Sequence, residues 1–368
     1  MSNAIRDLHR PLSSTGCHRN RSSGTLVSIS WLSVISLLAV AVLPTGSQSL
    51  QLTTWAVTIV LPPKVVAGHP ATLAVLGVDG RLAPGVAVQL GNNQRVRTDE
   101  TGRALFVAPS SGDVLLANAS GTSAAALVDS GAANGTQQAI AVAPVASLRD
   151  RFPICGQGLR GEADADRVKI NGEPALVLAA SPECVVILPG PKAAPGPAKI
   201  SVETPGAQWT ATTTLVSLDF EAPEPPLVPD KKSQLHVRVV GSEERLRIVV
   251  ANRTPGVIRF LRGETQQVLT SGGAQNLGEV KIETIRSGDF SFHAWLVSAA
   301  DVDAGWRYMQ AAQPLASKHL RHDLVKLSNE LKRHPHDSDE VRSEVEQILS
   351  VTMTGDLRTL LDAACAAL

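Results

Sequence analysis

The stretch ICGQGLRG, residues 154–161, sets Gly156, Gly158 and Gly161 at the spacing G-x-G-x-x-G, and its reading decides the fold. In a dinucleotide-binding enzyme those glycines join a strand to a helix whose N-terminus holds a pyrophosphate. The residues that follow must then be helical. They read EADADRVKINGEPALVLAASPECVVILPG, residues 162–190: an acidic turn, then β-rich runs around Val168, Val177 and Val185, with no apolar stripe at helical spacing. The acidic residue expected about 20 positions on would be Glu173, but it lies in NGEP, which is turn chemistry. The glycines therefore predict a strand corner, and no cofactor is expected.

Composition points the same way. The chain is 43% hydrophobic and 18% charged, with 34 basic and 34 acidic side chains, so net charge draws neither nucleic acid nor an anionic membrane. Aromatics are only 3%, and the abundance of small and β-branched residues suits thin sandwiches better than a large enzyme core. No G-x-S-x-G elbow, H-E-x-x-H, phosphate loop or C-x-x-C occurs, and neither catalytic nor metal residues are expected. His319, His322 and Asp323 share a helical face and His334, His336 and Asp337 crowd the next turn, but they read as a solvated face and loop. EADAD, residues 162–166, reads as a polar turn rather than a calcium loop, because it lacks the spaced oxygens and central glycine.

The N-terminus sets the compartment. Arg6, Arg10, Arg19 and Arg21 precede the uncharged run TLVSISWLSVISLLAVAVL, residues 25–43, in the layout of an export signal. Residues 1–47 are expected to be a signal peptide, cleaved after Ser47 or Ser49, or an uncleaved anchor. The remainder is then extracytoplasmic: secreted, periplasmic or at the cell surface, with membrane contact only through residues 25–43 if they stay uncleaved. Cys155 and Cys184 lie in one β-rich segment and read as a disulfide in an oxidising compartment, the alternative being two buried free thiols.

Past the leader, short strand-like runs recur with Gly, Pro, Asn and Asp between them, predicting a sandwich over 48–144. Within it VVAGHPATLAVLGVDGRLAPGVAVQL (65–90) and RTDETGRALFVAP (97–109) resemble the bacterial Ig-like repeats of adhesins, through Thr98, Asp99, Gly102, Ala104 and Phe106. Residues 145–220 resemble an IPT/TIG domain, an Ig-like sandwich of surface receptors, secreted enzymes and some transcription factors. Ile154, Gly156, Gly158, Val168, Asn171, Gly172, Ala175, Val177, Val186 and Pro189 carry that resemblance, although Leu159 stands where the family usually has an aromatic. The resemblance implies that the strands bearing Cys155 and Cys184 share one sheet, within bridging reach.

A proline-rich joint, EAPEPPLVPDKK (221–232), reads as a stiff spacer before a third sandwich over 233–298. Residues 299–368 turn helical: Leu320, Leu324, Leu327 and Leu331 form one stripe, and Val341, Val345, Ile348 and Leu349 another, with Ser338 as N-cap. The helices are expected to pack on the third sandwich, the nearest surface in the chain and the one favoured for the leucine stripe, or on each other, or else to dock a partner. The expected class is thus mainly β: tandem Ig-like β-sandwiches with a C-terminal α-helical segment.

Two functions fit. One is an exported, non-enzymatic interaction or scaffold protein whose partner is a protein or cell-envelope component. The other is a glycan-binding accessory module, for which Trp209 and Trp295 side by side on an exposed sheet would be the signature.

Overall fold

The computed structural model describes residues 57–91, 93–130, 139–221, 229, 231–261, 265–297, 300–352 and 355–368. The leader and most of the proline-rich joint fall outside them. From Thr53 to Leu368 the chain forms one unit.

The first sandwich contains β1 (Thr58–Val60), β2 (Lys64–Val66), β3 (Pro70–Leu76), β4 (Ala87–Leu90), β5 (Arg95–Arg97), β6 (Arg103–Val107), β7 (Val114–Ala119) and β8 (Thr122–Asp129). One face is β1-β3-β6 and the other β2-β8-β7-β4-β5, closing on Leu73, Val88, Phe106 and Leu115. The strand β6 shows how sequence makes the sheet. Asp99 Oδ1 accepts from the Thr101 and Arg103 N–H groups and Gly102 takes φ 72°, which turns the chain tightly into the strand. Ala104 and Phe106 then point inward, leaving Leu105 57% and Val107 51% exposed.

The second sandwich contains β9 (Ala141–Val142), β10 (Val145–Ser147), β11 (Phe152–Cys155), β12 (Arg167–Ile170), β13 (Glu173–Pro174), β14 (Leu176–Ala180), β15 (Cys184–Leu188), β16 (Gly196–Thr204) and β17 (Ala207–Glu221). The sheet β14-β15-β11-β9 faces β13-β12-β16-β17 across Ile154, Ile187, Ile200 and Leu215. Asn171 (φ 51°) and Gly172 (φ 88°) make the reversal between β12 and β13, both in the left-handed region that a two-residue hairpin of this kind demands. The run containing β9, expected in the first sandwich, instead pairs with β11, and Ile140 enters the second core. A turn-rich sequence shows where strands end but not which sheet they join.

The third sandwich contains β18 (Lys232–Val240), β19 (Arg247–Asn252), β20 (Ile258–Phe260), β21 (Thr265–Leu269), β22 (Leu277–Thr284) and β23 (Phe292–Leu296). The β18-β22-β20 sheet and the β21-β19-β23 sheet enclose Leu235, Val237, Ile248, Val250, Val280 and Ile282.

The sandwiches are not beads on a string. Thr72 of β3 pairs with Ala180 of β14, so one sheet crosses from the first sandwich to the second. The 15-residue β17 pairs along its first part with β16 and along residues 217–221 with β18, so a single strand belongs to both the second and third.

Four helices follow: α1 (Val302–Ala312), α2 (Lys318–Arg333), α3 (Ser338–Val351) and α4 (Asp356–Ala367). Asp301 caps α1 by accepting from the Ala304 N–H at 3.0 Å. The cap of α3 is Asp337, one residue earlier than expected, with Ser338 already inside the helix. Leu324, Leu327 and Leu331 are buried and Leu320 half-buried, but the surface they share is not the third sandwich. They join Met309, Val345 and Leu361 in a core that also takes Leu127, Val114, Leu116 and Ala125 from the outer face of β7 and β8. The β7-β8 sheet is therefore covered on both sides, and its near-unbroken apolar runs VLLANA and SAAALVD are the sequence mark of that. Chain proximity was a poor guide because α1 carries the helices to the apolar outer face of β7 and β8.

Leu324 has no exposed surface. Leu324→Asp should cost about 3–5 kcal/mol by burying an unpaired carboxylate. In limited proteolysis the helices should be cut first, while the Cys155–Cys184 disulfide stays closed.

Candidate functional site

The three glycines of the opening stretch meet three different parts of the chain. A Cβ on Gly156 would lie 3.0 Å from the Ile140 backbone beside β9. Gly158 takes φ 88°, and a Cβ there would meet the Trp209 ring at 3.2 Å. At Gly161 a Cβ would fall on the Pro70 carbonyl of the first sandwich. In that space the Thr72 hydroxyl donates to the Gly161 carbonyl at 2.6 Å and accepts from the Ala163 N–H at 3.2 Å. Spacing alone cannot separate three close approaches of backbone from a phosphate cradle.

The acidic turn that follows is part of the same seam. Asp164 pairs with Arg103 of β6 at 2.5 Å. Asp166 is buried; its Oδ2 accepts from the Arg160 N–H at 3.0 Å, while its Oδ1 has no hydrogen-bond partner among the described residues. Burial pushes its carboxyl up to about 6, against the pull of the Arg160 N–H and charge.

A second polar seam lies where both sandwiches meet α1. Arg307 of α1 pairs with Asp129 at the end of β8 and donates to the Val128 carbonyl at 2.8 Å. Glu183, beside Cys184 in the β14–β15 turn, is raised above the ordinary carboxylate range by burial and then by the neighbouring Asp129 carboxylate, while Lys64 and Arg307 oppose the shift. Lys64 reaches Asp301 at 3.9 Å, and its carbonyl accepts from the Ser181 hydroxyl at 2.6 Å. These groups lie far apart in sequence, so no motif could announce them; the only hint was charge beside otherwise apolar strands.

Cys155 and Cys184 are direct partners across β11 and β15 and form a disulfide, with Cα atoms 4.1 Å apart. The thiol of Cys365 is pushed up to about 12 by burial among the helices. Among the described residues no three His, Cys, Asp or Glu side chains gather as a metal site. Trp209 and Trp295 are not neighbours in one sheet: Trp209 pairs with Val202 of β16 and Trp295 with Val249 of β19. The remaining Trp in the helices, Trp306, lies under the Lys332 ammonium at 5.1 Å. A shallow groove of about 570 Å³, lined by Asn171, Lys199, Thr212 and Thr214, runs over β16 and β17 without an aromatic platform.

No protein-family model matches the chain, and no curated protein matches it. Solved structures of tandem-domain proteins do overlay. One is SGBP-B of the Bacteroides ovatus mixed-linkage glucan utilization locus, in complex with a mixed-linkage heptasaccharide, at 14% identity over 64% of this chain and 73% of that one, TM-score 0.22. The N-terminal four Ig domains of Dscam1 isoform 6.44 overlay at 9% identity over 64% and 73%, TM-score 0.20, and the I9-I11 tandem of titin at 10% over 66% and 95%, TM-score 0.18. The fold rests on this chain's own sheets: mainly β, Ig-like sandwiches in tandem with C-terminal helices.

Two outcomes test the seams. Gly161→Ala forces the β3 backbone and the acidic turn apart and should cost about 1–3 kcal/mol or more, lowering the melting temperature. Gly158→Ala, strained at positive φ and crowded by a movable ring, should cost on the order of 1 kcal/mol. Equal melts for the two variants would mean that the seam yields freely.

The carboxyl of Asp166 holds its proton more tightly in the folded chain than the ordinary value of 3.8 allows. Its contribution to stability is therefore fully present below about pH 4 and is lost as pH rises through about 6. Asp166→Asn keeps an acceptor for Arg160 and removes the titration. Its melting temperature should exceed the wild type's at pH 7, with the difference closing near pH 4.

Proposed function

We propose that the chain is an exported, non-enzymatic interaction protein of the cell envelope, whose coupled sandwiches act as a scaffold for the helical bundle. The observation that carries this reading is the Cys155–Cys184 disulfide, set between directly paired strands, because such bonds persist in oxidising compartments. The Arg-flanked apolar run over residues 25–43 supplies the route there. Sheet continuity between the sandwiches and the shared β17 support a scaffold role, since modules that share strands cannot swing as freely linked domains do. Within this reading the first sandwich is a bacterial Ig-like module and the second is of IPT/TIG type; the glycine corner at Gly158 and the Asn171–Gly172 reversal support that assignment.

Expression of the full chain in a bacterial host, followed by fractionation and thiol alkylation without reductant, tests the proposal. The chain should appear outside the cytoplasm with Cys155 and Cys184 unmodified until reductant is added. A cytoplasmic chain with both thiols alkylated would overturn it.

A further inference from the structure

The helix α2 has two opposite faces with different fates. Its leucines are spent inside the bundle, while its outer face carries Lys318, His322, Lys326, Asn329 and Arg333, all exposed. At 3.6 residues per turn these five fall within an arc of about 80°, and the helix's acidic residues, Asp323 and Glu330, lie outside it. The cations Lys318, Lys326 and Arg333 therefore form a straight row, about 10–12 Å apart along the axis, with His322 and Asn329 between them. None of the three cations forms an ion pair among the described residues, although Asp323 and Glu330 stand three and four residues from Lys326 on the flank of the row. In a chain with as many acidic as basic side chains, such a row is a local feature rather than a reflection of net charge.

We infer that this row binds a linear acidic polysaccharide of the cell envelope, with the cations meeting carboxylates of the extended chain. A row, rather than a broad patch, matches a linear polymer. A bilayer is disfavoured because helices that lie on membranes bury an apolar face in the lipid. The apolar face of α2 is already consumed by Leu324, Leu327 and Leu331, and only Val325, 38% exposed, breaks the polar surface. A single-stranded nucleic acid is disfavoured because His322 is the only ring in the row and no Trp, Tyr or Phe stands beside it as a stacking platform. The choice of an envelope polymer rests on the proposed export, but the binding itself does not.

The test uses the full chain in a non-ionic detergent with immobilised polygalacturonate as probe. Binding should be present at about 50 mM salt and largely lost by about 0.5 M, as screening demands. Lys318→Gln, Lys326→Gln and Arg333→Gln should each weaken binding about fivefold, the effect of one exposed ion pair at close range. Lys192→Gln, on the second sandwich, should leave it unchanged. All four side chains are exposed, so melting temperatures should match the wild type's and exclude misfolding as the cause.

A triple variant that binds as well as the wild type, or no binding at low salt, overturns the inference. So does a triple variant that loses phosphatidylglycerol vesicle binding while the wild type ignores the polysaccharide, since the partner would then be lipid. A chain that stays cytoplasmic but binds polygalacturonate through the row would sink the export reading alone.

Discussion

The contact on which the described architecture turns is the one between Gly161 and β3. There the backbone of the second sandwich comes so close to Pro70 that no side chain fits, and the Thr72 hydroxyl satisfies both the Gly161 carbonyl and the Ala163 N–H. At Thr72 itself the strand pairs with Ala180 and the sheet passes from one module to the next. Val60, Ala74, Leu178, Ala179 and Val186 pack as a small core at this crossing. Hydrogen bonds fix the register and apolar burial supplies the driving force, so neither sandwich can turn against the other without exposing both.

The same logic explains where the helices went. A sheet with one apolar face needs one cover; the β7-β8 sheet has two apolar faces and needs two. The first is the β1-β3-β6 sheet and the second is the helical bundle. Arg307 then pins α1 to the end of β8, while Arg247 of β19 pairs with Asp339 of α3 and Arg342 meets the Gln267 amide on β21. The bundle thus touches the first sandwich through apolar burial and the Arg307 pairing, and the third through polar contacts.

Much of this was legible in the sequence, and the reason lies in range. The Asp99–Gly102 turn, the alternation through Phe106, the Asn171–Gly172 reversal and the leucine spacing in α2 are all set by neighbours a few residues away. What was not legible depends on contacts between distant residues. β9 could have edged either sandwich, and its two residues carry too little pattern to choose. The leucine stripe announced that it would be buried but not against what, and the decisive signal sat elsewhere, in the unbroken apolar runs of β7 and β8. Glu183, Asp129 and Arg307 come from three separate elements, so their meeting left no local trace.

Burial raises the carboxyls of both Asp166 and Glu183, so at neutral pH each ionised group costs stability rather than adding to it. An apolar seam of the same shape would hold the modules at least as firmly. What the charged groups add is discrimination. Arg307 has its partner in Asp129 only when α1 lies across the end of β8, and Arg103 reaches Asp164 only when the acidic turn is seated on β6. A turn docked elsewhere would leave the largely covered Arg103 guanidinium without its carboxylate, and a displaced α1 would strip the partly covered Asp129 of its cation, each costing more than an exposed pair would. The small-residue cores of these sandwiches are interchangeable enough to tolerate misdocking; the charged pairs at their joints are less so.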